Sequence, residues 1–158
     1  MPPSSGARRR NAGRAGLLLA AILAVDQVTK ALVRGGMAPG DEDPVFPGVE
    51  LVHVHNRGVA FGALSGESAV IVIVLAALIG LIVWFALHSR RPYVWIPTGM
   101  LLGGALGNIV DRLRDGYVTD FIKIPLWPAF NVADVSIVFG VLVLLWVLER
   151  GDEPERAA

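Results

Sequence analysis

Two carboxylates late in the chain are of the right type for water-activating chemistry. Asp120 lies in VTDFI and Asp134 in NVADV, and FIKIPLWPAFNVA joins them. The joining segment contains Pro125 and Pro128, so it cannot be one continuous helix. It is long enough to loop back and bring the two carboxylates together. Carboxylates within hydrogen-bonding reach do not readily both ionise; they share a proton and can act in turn as base and acid. That is the chemistry of an aspartic protease. Spacing alone leaves the alternative open: two unrelated aspartates, one of them capping a helix. Pro128 is placed to start a helix, with Asp134 about one turn inside it. Asp134 also stands at the head of an almost wholly apolar run, where an ionisable group is costly without a partner or a purpose.

Other polar residues are expected to gather at the same level. Asn56 lies in HNRGVAFG, Asn108, Asp111 and Arg112 end GGALGNIVDR, and Asn131 precedes Asp134. Asn108, Asp111 and Arg112 fall within one helical face. A structural and a functional role for Arg112 both stay open, and Asp111 reads as structural. Gly103 and Gly107 form a small-xxx-small face for close helix packing. Asp26 and Lys30 in DQVTK are an i, i+4 pair, acid before base, and read as a self-neutralising structural pair. Within VELVHVHNRG the alternation of Val52 and Val54 with Leu51, His53 and His55 reads as a short strand, with His53 and His55 on one face. No third ligand accompanies them, so this reads as a solvated strand face, with no metal site. NRGVAFG then reads as a glycine-rich turn.

The elements that must position these groups are membrane helices. Of 158 residues, 54% are hydrophobic and 18% charged, and mean hydropathy is +0.58, too apolar for an ordinary soluble domain. Net charge is zero, which argues against a nucleic-acid partner. The chain has no cysteine, which excludes disulfides and thiolate chemistry, and its three histidines limit metal chemistry. No cofactor is expected.

Four segments are long enough to span a bilayer, at about residues 15–33, 68–87, 94–112 and 130–148. The fold class is therefore an all-α integral membrane protein with a small β-containing outer loop at 35–66. Residues 1–14 read as a basic, disordered cytoplasmic tail and 150–158 as a second, solvated one. A cleavable leader is disfavoured at the first span, because the apolar run continues past Asp26 and Lys30 without a good cleavage site. Arg8, Arg9, Arg10, Arg14, Arg90 and Arg91 fall on one side of a four-span chain, which makes that side, and both termini, cytoplasmic. The outer loop carries Asp41, Glu42, Asp43 and Glu50.

Five motifs in order resemble the lipoprotein signal peptidase (signal peptidase II) family: DQVTK, NRGVAFG, GGALGNIVDR, GYVTDFI and PAFNVADVSI. The resemblance covers about residues 15–148. It implies an aspartic endopeptidase of the bacterial cytoplasmic membrane, working near its outer face. Such an enzyme cuts prolipoproteins on the amino side of a diacylglyceryl-modified cysteine. By motif, Asp120 and Asp134 are the dyad, and Asn56, Asn108, Arg112 and Asn131 orient the substrate or the dyad. Membrane lipid and a globomycin-type inhibitor are implied as further partners. Thr119, where an aliphatic residue is expected, and Val135, where a small one is common, depart from the pattern, with neither expected to touch a carboxylate.

Three other classes compete with this reading. A proton-coupled carrier would use Asp26, Lys30 and Asp134 as a relay, but there is no inverted repeat. A scaffold would use the glycines for helix packing alone. A rhomboid-type serine protease lacks its Gly-x-Ser-x-Gly.

Overall fold

The computed structural model describes residues 5–57, 67–89 and 91–151. The glycine-rich turn expected at 58–62, Arg90 and the 152–158 tail lie outside the described residues. The chain is mostly helical, with helices α1 (Ser5–Gly36), α2 (Glu67–His88), α3 (Trp95–Asp115) and α4 (Val132–Gly151). A small antiparallel sheet of β1 (Glu42–Phe46), β2 (Val49–Asn56) and β3 (Val118–Lys123) is ordered β1-β2-β3. Among the described residues, α1 and α4 are each long and apolar enough to cross a bilayer. Both carry large apolar side chains on their outer faces, among them Leu17, Leu32, Val138 and Leu145.

α3 is the central helix, because its glycines let two neighbours approach at backbone distance. A Cβ on Gly103 would stand 3.0 Å from Leu19 O and from Ile22 Cβ of α1. On the opposite side, one on Gly104 would stand 2.5 Å from Ala133 O of α4. Close packing of this kind is what holds helices together where apolar burial gives no net drive. Ser136 Oγ of α4 adds a hydrogen bond to Met100 O of α3 at 2.9 Å. α2 rests on α3 through Leu78, Ala105 and Ile109.

The helix ends differ from the sequence expectation in three places, each for a local reason. α1 begins at Ser5, so residues 5–14 of the expected disordered basic tail are instead helix. Its Ala and Arg residues are good helix formers, and two contacts tie it down. The Asn11 amide donates to Ser89 O at 2.9 Å and to Arg91 O at 3.2 Å, and the Arg14 guanidinium lies over the Trp95 ring. α3 runs on to Asp115 and stops at Gly116, whose φ of +76° suits a residue without a side chain. α4 starts at Val132, not at Pro128, because Asn131 caps it.

The short strand expected from the alternation of residues 51–55 is present within β2, but its faces do not alternate throughout. Pairing with β3 slips between Leu51 and Val54, and Val52 and His53 are both buried while Val54 is exposed. His53 is therefore turned away from solvent, while His55 stays partly exposed. His53 is 3% exposed, its Nδ1 bonds Met37 O at 2.9 Å, and the His55 ring stacks on Tyr117 at 3.8 Å.

Candidate active site

The loop between the two aspartates is closed by backbone bonds. Phe130 N–H donates to Ile122 O, and Ile122 N–H donates back to Phe130 O, both at 2.9 Å. This short bridge returns the chain beside β3, so that Asn131 meets Asp120 across it. Asn131 Nδ2 donates to Asp120 Oδ1 at 2.7 Å, and the Asn131 backbone N–H donates to Asp134 Oδ2 at 3.2 Å. One asparagine thus holds both carboxylates.

The same residue caps α4. Asp134 N–H donates to Asn131 Oδ1 at 3.0 Å, while Asp134 Oδ2 accepts from the Asn131 N–H. Two otherwise unsatisfied donors of the first turn are satisfied reciprocally, as in a capping box. Asp134 is therefore an N-terminal-turn residue of the helix, near the positive end of its dipole.

Asn108 and Asn56 complete the ring of amides. Asn108 Nδ2 donates to Asp134 Oδ1 at 2.9 Å, and its Oδ1 accepts from Asn131 Nδ2 at 3.2 Å and from Lys30 Nζ at 2.9 Å. An ammonium has no acceptor, so the Asn108 amide can be oriented only this way. Asn56, at the end of β2, donates Nδ2 to Asp120 Oδ2 at 2.9 Å. Arg112 donates NH1 to Asn108 O at 3.4 Å, on the backbone of the residue that holds Asp134.

Behind the amides lies a buried charge cluster. Lys30 and Asp26 pair at 2.8 Å, and Lys30 and Asp111 at 3.0 Å, all three fully buried. With the bond to Asn108, the three N–H donors of Lys30 are all used. Asp26 Oδ1 also accepts from the Ala133 N–H in the first turn of α4, at 2.9 Å. Asp26, Lys30 and Asp111 thus pack as one buried ion cluster. The cluster joins α1, α3 and α4, and through Asn108 it reaches Asp134.

Sequence reasoning missed three contributors. Gln27 Nε2 donates to Asp111 Oδ1 at 2.9 Å and to Gly107 O at 3.2 Å. Arg34, one turn beyond Lys30, donates to Thr119 Oγ1 at 3.1 Å and lies 3.9 Å from Asp111. The four-residue spacing of Asp26, Lys30 and Arg34 was a readable helical stripe. Thr119 is the third, and here an expectation is corrected: its backbone N–H donates to Asp111 Oδ2 at 3.3 Å, so this position does touch a carboxylate.

Asp120 is 2% exposed, and its carboxyl is pushed up to about 6. Burial is the main cause, because it disfavours the charged form, and the Asp134 charge adds to it. The bonds from Asn56 and Asn131 and the charge of Lys30 pull the other way. Chemically, the site offers two carboxyl groups bridged by an amide, one of them able to keep its proton in mildly acidic water.

Comparison with known proteins places this geometry in context. The family described as Signal peptidase (SPase) II matches residues 18–149. A lipoprotein signal peptidase of Moorella thermoacetica is 44% identical over 146 residues, covering 87% of this chain and 97% of that one. One of Pelotomaculum thermopropionicum is 41% identical over 147 residues, covering 89% and 97%. A solved structure described as a bacterial membrane enzyme, obtained by the in meso method at 2.3 Å, superposes with a TM-score of 0.82 at 30% identity, covering 92% of this chain and 94% of that one.

Proposed function

The chain belongs to the signal peptidase II family, a family of membrane peptidases, and on that premise we propose that Asp120 and Asp134 are the aspartic dyad with which it cuts prolipoproteins. The observation that carries this reading is the single residue Asn131, which bonds both carboxylates at once.

In this mechanism the buried Asp120 holds the shared proton and Asp134 is charged. Asp134 takes a proton from a bound water, and the resulting hydroxide attacks the scissile carbonyl. Asp120 donates its proton to the carbonyl oxygen, giving a neutral tetrahedral adduct. Collapse of that adduct returns a proton to the leaving amine and regenerates the carboxyl. Asn56, Asn108 and Asn131 keep the two carboxylates in place, so little reorganisation is needed during reaction. Arg112 acts on the backbone of Asn108 and so orients the dyad.

The substrate of this reading is a prolipoprotein whose cysteine carries a diacylglyceryl group, cut on the amino side of that cysteine. Its acyl chains stay in lipid and help fix the peptide's register. A globomycin-type inhibitor would occupy the same site.

All four helices span the bacterial cytoplasmic membrane, with both termini cytoplasmic and the dyad near the outer face. Support comes from the gathering of Arg14 with Trp95, and Arg150 with Trp146 and Tyr93, at the helix ends opposite the sheet. The sheet end carries Glu42 and Glu50, paired with Lys123.

The test is cleavage of a diacylglyceryl-modified prolipoprotein by the purified protein in detergent. Wild type is expected to cut, and Asp120→Asn and Asp134→Asn to be folded and inactive. Near-full activity in either folded variant would exclude the dyad.

A further inference from the structure

We propose that His53 and His55 form a two-ligand site for a late first-row divalent cation of the zinc class, outside the cleavage chemistry. Two observations carry this. The first is distance: the two Nε2 atoms stand 3.2 Å apart. Two imidazole nitrogens on one tetrahedral zinc, each about 2.0–2.1 Å from the metal, are separated by about 3.3 Å. The pair already has the edge length of such a site.

The second is orientation. His53 Nδ1 faces the Met37 carbonyl at 2.9 Å, so that nitrogen must carry the proton and Nε2 presents its lone pair. A carbonyl that accepts from the far nitrogen of a ligating histidine is the usual outer support of metal sites. The His55 ring is held by stacking on Tyr117. Without metal, His55 Nε2–H points at His53 Nε2. Metal binding replaces that contact: His55 carries its proton on Nδ1 instead, and both Nε2 lone pairs face the ion.

Among the described residues no third His, Cys, Asp or Glu completes a cage with the pair, so water would fill the remaining positions. Imidazole suits zinc and its neighbours and not magnesium or calcium, which take oxygen ligands. The slip in the pairing of β2 with β3 turns His53 inward, beside His55.

The experiment is calorimetric titration of the full-length protein, in detergent and without a histidine tag, with Zn²⁺ alone at neutral pH. One ion per chain is expected. His55→Phe keeps a ring against Tyr117 and removes one ligand. It is expected to weaken binding by more than the about 10-fold that loss of an outer-shell partner costs. His88→Ala removes the remaining histidine and is expected to leave binding unchanged. Electron paramagnetic resonance of the Cu²⁺-loaded wild type is expected to show two coordinated imidazole nitrogens, and this readout does not depend on a variant folding. Equal Zn²⁺ affinity in wild type and His55→Phe, no binding at all, or a single-nitrogen spectrum would each overturn the proposal.

Discussion

Asn131 and Asp134 hold each other across the first turn of α4, each accepting the other's backbone N–H, at 3.0 and 3.2 Å. The reciprocal cap makes helix start and carboxylate position one structural event. Asn131 also reaches Asp120 at 2.7 Å, so its two functions can be separated by substitution. Asn131→Ala loses both, and is expected to lose cleavage together with about 0.5–2 kcal/mol of stability, the usual worth of an N-cap. Asn131→Ser keeps a capping oxygen but is too short to reach Asp120. It should unfold near the wild-type temperature and still cleave far more slowly. Wild-type cleavage by a folded Asn131→Ser would show that the bond to Asp120 is dispensable.

The raised carboxyl of Asp120 makes stability depend on pH in a defined direction. A group whose folded value, about 6, exceeds its ordinary 3.8 favours the folded state most when protonated. Its contribution is fully present below about pH 4 and is lost as pH rises through about 6. Measured by thermal unfolding in detergent, wild type should therefore lose stability relative to Asp120→Asn across that window. Parallel curves for the two proteins would contradict it.

Lys30 sits fully buried between Asp26 and Asp111 and pins the amide of Asn108. Lys30→Met removes the close cationic partner of two buried carboxylates, leaving Asp111 only the more distant Arg34 and Arg114, and is expected to cost about 3–5 kcal/mol, the range for breaking a buried pair. Adding Asp26→Asn should recover part of that loss, since one unpaired charge is removed. A double-mutant cycle on unfolding temperature measures the coupling, and simple additivity would mean the cluster does not act as a unit.

Gly107 lets Asp26 lie against α3. A Cβ there would stand 2.5 Å from Asp26 Oδ2, whereas nothing lies within 4 Å of one on Gly80 in α2. Gly107→Ala is expected to destabilise by about 1–3 kcal/mol, as overpacking does, and to lower cleavage by displacing the cluster behind Asn108. Gly80→Ala should be neutral or slightly stabilising. Equal unfolding temperatures for the two variants would rule out the close approach.

Local rules made much of this protein legible from its residues alone. Apolar length marked each helix, and glycine spacing marked the face of α3 that meets α1. The i, i+4 rule paired Asp26 with Lys30 correctly, because both lie on one helix and their geometry is set by its pitch. The convergence of Asn56, Asn108, Asn131, Asp120 and Asp134 followed from counting spans and noting which ends they reach. What counting cannot supply is which faces of separate elements touch. Lys30 and Asn108 are 78 residues apart, and their bond exists only because α1 and α3 pack at glycine distance. The start of α4 at Val132, after the Asn131 cap, rather than at Pro128 depends on a bridge between Ile122 and Phe130, again a long-range pairing. Thr119 meets Asp111, and His53 turns inward, for a similar reason: register between strands is decided by their partners, and a single slip changes which side chains are buried. Sequence determined the elements and their chemistry. Tertiary packing decided which carboxylate, amide and ammonium would share a hydrogen bond, because those bonds cross between elements whose approach no local spacing encodes.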